Sequence, residues 1–97
     1  MRTVDAIAEW LEAAGMTHYY GYAGGAVWPL LDALVDRPKL IGVQAKHESH
    51  AVHQADIHFR LTGAVAPVIV TKGPGLLNCV GGTASAMHDG IPLLILA

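Results

Sequence analysis

Charge is scarce in this chain: Lys, Arg, Asp and Glu make up 14% of its 97 residues, against 53% hydrophobic residues and a mean hydropathy of +0.40. The six Lys and Arg are scattered and the net charge is −2, a balance that excludes nucleic acid and an acidic membrane as partners. Cysteine is nearly absent. The single Cys79 leaves no intramolecular disulfide framework and fits a reducing, cytoplasmic setting. Long apolar runs are missing too: none reaches the roughly 18 residues that read as a bilayer span. Met1-Arg2-Thr3-Val4-Asp5 has no signal-peptide core. What is present suffices for one small domain. It is more apolar than a self-sufficient domain of this size, which predicts burial against further chain or a partner.

The apolar residues alternate between helical and extended patterns. Thr3 is the expected N-cap of a first helix carrying Val4, Ile7, Ala8, Leu11 and Ala14, with Gly15 as its stop. His18-Tyr19-Tyr20-Gly21-Tyr22 reads as a strand, followed by Gly24-Gly25. A second helix is expected over 26–34, where Pro29 is tolerated only in the first turn. A strand at 40–45 and a helix from Glu48 to Thr62 follow. In that helix Ala51, Ala55 (or Val52), Phe59 and Leu61 are core candidates, and Gly63 is the stop. Residues 66–71, β-branched and apolar, read as a strand buried on both faces. A helix over 76–87 and a fully buried strand from Ile91 to Ala97 complete the pattern, and because the sequence stops within that strand the chain is expected to be a fragment. Strands alternating with helices predict an α/β fold: one parallel sheet with helices on both faces, occupying 1–97 as a single incomplete domain.

In a parallel sheet the carboxyl ends of the strands share one edge, where open α/β folds bind ligands. Three loops meet that condition: Tyr22-Ala23-Gly24-Gly25, Lys46-His47-Glu48 and Thr71-Lys72-Gly73-Pro74-Gly75. Glu48 is the carboxylate among them, at a strand-to-helix junction. An acid there also serves the helix dipole. Placed among apolar strand ends, a carboxyl gains a raised pKa and is fitted to hold or deliver a proton near neutrality.

Other chemistries fail on spacing. The glycines at 21, 24 and 25 lack the G-x-G-x-x-G pattern of dinucleotide folds, and Gly73-Pro74-Gly75 has no following Gly-Lys-Ser/Thr. His47, His50, His53 and His58 invite a metal reading, but Ala51 stands where a His-Glu-x-x-His motif needs its second histidine. Histidines that are solvated or hydrogen-bonded are the expectation, with no metal ligand among them.

The chain resembles the N-terminal, pyrimidine-binding domain of thiamine-diphosphate-dependent enzymes, nearest the acetolactate synthase large subunits. Four segments carry the resemblance: Tyr20-Gly21-Tyr22-Ala23-Gly24-Gly25-Ala26-Val27; His47-Glu48 with Ala51, Ala55-Asp56, Arg60 and Thr62-Gly63; Thr71-x-Gly73-Pro74-Gly75-x-x-Asn78; and Ala86-x-x-Asp89-x-x-Pro92-Leu93. The segments come in order and cover nearly the whole chain. The resemblance implies thiamine diphosphate as cofactor and a 2-keto acid as substrate, with decarboxylation or carboligation as the reaction. It gives Glu48 the role of hydrogen-bonding a ring nitrogen of the cofactor's aminopyrimidine. That bond favours the imino tautomer, which removes the thiazolium C2 proton. Tyr22, Ala23, Gly24, Thr71, Pro74 and Asn78 would line the pyrimidine pocket.

Some positions depart from the family pattern. Ala23 stands in place of a proline, Lys72 in place of a small residue, and Ile57-His58-Phe59 in place of Gly-Tyr-Ala. The Gly-Asp-Gly…Asn motif that holds the diphosphate and Mg²⁺ has no counterpart here. The resemblance therefore implies a partner, the diphosphate-binding domain of the same or another subunit, in a homodimer or homotetramer, and it admits FAD. The alternative is a non-catalytic binding or interaction module that folds against a partner chain.

Overall fold

The computed structural model describes residues 1–97 and contains nine elements. In chain order these are α1 (Thr3–Ala13), β1 (His18–Gly21), α2 (Trp28–Val35), β2 (Ile41–Gln44), α3 (Glu48–Thr62), β3 (Pro67–Ile69), α4 (Pro74–Leu77), α5 (Val80–Asp89) and β4 (Leu94–Leu96). The strands form one all-parallel sheet in the order β2-β1-β3-β4. Gly21 lies level with Gln44 on one side and Ile69 on the other. The ends of β1, β2 and β3 are thus aligned.

Side chains of β3 alternate between two cores, as strand geometry requires. Ile69 joins Leu11, Leu30 and Leu34 of α1 and α2, with Leu94 and Leu96 packed alongside. Val68 and Val70 join Val52, Ala55 and Cys79 on the opposite face, with Tyr20 and Ile95 alongside. The sheet is therefore covered on both faces, as the sequence pattern predicts. On the second face α5 approaches α3 closely, because Gly82 presents no side chain: a methyl there would sit 2.8 Å from Val52 Cγ1. Arg60 reinforces the pair, its guanidinium bridging Asp56 of α3 at 2.5 Å and Asp89 of α5 at 2.7 Å.

Several boundaries differ from expectation, each for a local reason. Arg2, not Thr3, caps α1: its backbone N–H donates to Asp5 Oδ2 at 3.1 Å while its guanidinium pairs with the same carboxylate. The helix expected over 76–87 is two helices, because Cys79 N–H bonds back to Leu76 O in a tightened turn at the junction. Leu61 is 80% exposed rather than in the core, and Phe59 is only half-buried. β4 is shorter than the expected strand and half-buried, since it lies at the edge of the sheet with β3 as its only neighbour. The extents of α3 and its Gly63 stop, at φ 74°, match the sequence reading.

The helix histidines are placed by packing. The His58 ring packs tilted against His18, with centroids 5.2 Å apart, and shares a 3.0 Å hydrogen bond with the Tyr20 hydroxyl. Burial first, and the neighbouring His18 second, lower its pKa from the ordinary 6.5. The folded state thus binds this proton less readily than the unfolded state. The stability carried by neutral His58 is present above pH 6.5 and is lost as pH falls through the lower folded value. Thermal unfolding of the full-length protein is therefore expected to show a loss of stability on acidification below that point, and His58→Gln is expected to flatten it. An unchanged slope in the variant contradicts this assignment.

Candidate functional site

The aligned strand ends place three loops along one edge, and side-chain contacts join them. Tyr22 N–H donates to Ile69 O at 3.2 Å, and Ala45 N–H donates to Gly21 O at 2.8 Å. These bonds carry the sheet's register into the loops. β2 then turns through Lys46 and His47 into α3. His47 is the N-cap, its Nδ1 accepting the Ser49 N–H at 3.1 Å, which satisfies one of the free donors of the first turn. The cap fixes where the next side chain points. Glu48, the first residue of α3, is 9% exposed.

A buried carboxylate needs hydrogen-bond partners. Asn78 supplies one, its Nδ2 donating to Glu48 Oε1 at 3.2 Å across 30 residues of sequence. Oε2 takes no hydrogen bond from the chain and lies beside Gly75, where a methyl would come within 3.3 Å of it. Among buried side-chain polar atoms, only Gln54 Oε1 is both enclosed and unpartnered. Glu48 Oε2 therefore keeps an opening. Thr71 wedges between two glycines: a methyl on Gly75 would meet its Cγ2 at 2.8 Å, and one on Gly24 its Oγ1 at 2.9 Å. Close approach of backbone to side chain is what these glycines permit.

The structure thus brings Gly24, Glu48, Thr71 and Asn78 together and adds Gly75 and Cys79. Cys79 donates to Gly75 O at 3.5 Å. Its thiol pKa is pushed up by burial first and by the Glu48 charge second, which marks its closeness to that carboxylate. Gly75 was visible in the Gly-Pro-Gly turn, whereas Cys79 stands out in the sequence only as the single cysteine, with nothing that ties it to Glu48. Pro74 opens α4 in its first turn and is exposed. Tyr22 and Ala23 line a cavity of about 240 Å³ with Trp28, Leu31 and Gln44 on the α2 side of the sheet. No three His, Cys, Asp or Glu side chains converge as metal ligands, and no helix is long and apolar enough to cross a membrane.

A parallel α/β domain with a buried, partly satisfied carboxylate at its strand ends has the architecture of a cofactor-binding domain. Its sequence matches the family described as thiamine pyrophosphate enzyme, N-terminal TPP binding domain, over residues 1–97. The chain belongs to that family. It is 45% identical over 83 residues to the acetolactate synthase isozyme 3 large subunit of Escherichia coli strain K12, a match covering 86% of this chain and 14% of the relative. It is 40% identical over 96 residues to the probable acetolactate synthase large subunit of Methanocaldococcus jannaschii, covering 99% of this chain and 16% of that protein. The large subunit of Lactococcus lactis is 38% identical over 89 residues, 92% of this chain and 16% of its own length. The chain accordingly spans 14–16% of the length of these relatives.

Proposed function

We propose that this chain is the N-terminal portion of a thiamine-diphosphate-dependent carboligase or decarboxylase of 2-keto acids, with Glu48 as the residue that activates the cofactor. The observation that carries the reading is Glu48 itself: a buried carboxylate whose Oε1 is held by Asn78 while Oε2 is left to accept another hydrogen bond. Gly24 and Gly75 let the Thr71 side chain pack tightly against the backbone beside Glu48. The donor set therefore fits an aminopyrimidine. Bound thiamine diphosphate would supply a thiazolium able to act as the electron sink for loss of CO₂ from a 2-keto acid. The chain's own part is to orient and to move a proton. Asn78 fixes one Glu48 oxygen, and the carboxyl group would share a proton through Oε2 with the ring nitrogen, donating as the acid and accepting as the carboxylate. Gly24, Thr71, Pro74 and Gly75 shape the wall.

The same reading assigns residues 1–97 to an incomplete pyrimidine-binding domain. The diphosphate and Mg²⁺ are then held by a diphosphate-binding domain of the same or another subunit, in a cytoplasmic homodimer or homotetramer. Exposed Leu77 on α4 and exposed Val80 and Met87 on α5 support an apolar partner surface on these helices. FAD remains a cofactor that the acetolactate synthase likeness brings with it. The test is CO₂ release from a 2-keto acid by the complete enzyme. Release that depends on added thiamine diphosphate is expected, and turnover that ignores the cofactor overturns the reading.

A further inference from the structure

Salt-bridge partners divide the cations of this chain into two groups. Arg2, Arg37 and Arg60 all pair with carboxylates. Lys39, Lys46 and Lys72 pair with none and are exposed. Lys39 precedes β2, at the amino edge of the sheet. Lys46 and Lys72 instead follow β2 and β3, on the two loops that flank the Glu48 crevice. Since both strands pair with β1, these loops lie about 10 Å apart, two strand spacings. The only carboxylate on the three crevice loops is Glu48, which is turned inward to Asn78. A chain of net charge −2 therefore carries a positive rim at this one edge.

We propose that Lys46 and Lys72 select the substrate by charge, favouring a 2-keto acid that bears a second anionic group remote from the reacting carboxylate. This rests on the functional reading above. A cation bonded to the reacting carboxylate would hold the ground state more tightly than a transition state that is losing CO₂, and so slow the reaction. Lysines on the rim avoid that penalty. They raise the local concentration of anions and, lying within about one Debye length of the crevice, remain sensitive to salt. A second carboxylate at the far end of the substrate meets them while the keto group lies inside.

The experiment compares a 2-keto dicarboxylate with a 2-keto monocarboxylate in the complete enzyme, at low and high salt. Lys72→Gln is expected to lower kcat/KM for the dicarboxylate about tenfold, with a smaller loss for the monocarboxylate. Lys46→Gln is expected to act in the same direction, Lys39→Gln to change neither substrate, and high salt to shrink the wild-type preference. Equal losses on both substrates, no loss, or a change confined to the cofactor's affinity overturns the inference. If the lysine variants behave as wild type while turnover still requires thiamine diphosphate, the selection role falls and the functional reading stands. An enzyme that turns over neither substrate overturns both.

Discussion

Replacing Glu48 by Gln in the complete enzyme is expected to lower kcat on a 2-keto acid by about 10²–10⁴-fold, the range supplied by a positioned proton-transfer group. Binding of thiamine diphosphate is expected to survive much better than turnover. Gln has the same length, and its carbonyl can still accept the Asn78 amide that holds Oε1 at 3.2 Å. What it lacks is an acid group that can give and take a proton at the other position. A structural role alone would leave kcat near the wild-type value, because Gln fills the same volume and its amide has polar partners at hand. Glu48→Asp separates the two properties differently. It keeps the proton but shortens the side chain, so an intermediate loss is expected.

The second large effect is expected at Gly75. A methyl group there would stand 2.8 Å from Thr71 Cγ2 and 3.3 Å from Glu48 Oε2. Gly75→Ala therefore introduces strain of about 1–3 kcal/mol and covers the oxygen that is to receive the cofactor. The variant should lose thermal stability and affinity for thiamine diphosphate together, read by unfolding and by cofactor titration of the apoenzyme. Combining it with Thr71→Ser separates the two causes, since serine has no Cγ2. Stability should then return in part while cofactor affinity stays low, because the methyl remains beside Glu48. A Gly75→Ala enzyme that binds cofactor as tightly as wild type would remove Gly75 from the pocket wall.

The sequence pattern revealed most where structure is local. The span from Glu48 to Thr62 was legible because no Gly or Pro interrupts it and Gly63 follows it, in the left-handed conformation that ends a helix. β3 was legible as a strand covered on both sides because its residues are uniformly apolar. The break at Asn78 and Cys79 was not, since both residues keep right-handed helical dihedrals and only the hydrogen-bond pattern changes. Leu61 and β4 were misjudged on burial, which depends on what packs alongside rather than on residue type.

For the site, the three loops could be placed on one edge from the alternation alone. Which side chains meet there could not. The pairing of Glu48 with Asn78 spans 30 residues and depends on the turn between α4 and α5. Tyr22 and Ala23, expected beside the cofactor, line a cavity with Trp28, Leu31 and Gln44, a set of neighbours that the motif alone does not name.

The account stands or falls on proton movement at Glu48, so the most direct measurement follows the proton rather than the product. Exchange of the thiazolium C2 proton for deuterium, in thiamine diphosphate bound to the complete enzyme, isolates cofactor activation from all later steps. Wild-type enzyme should exchange this proton far faster than free cofactor does, and the Glu48→Gln enzyme, saturated with cofactor, should lose most of that acceleration. Exchange at the wild-type rate in the Gln variant would contradict the role assigned to Glu48.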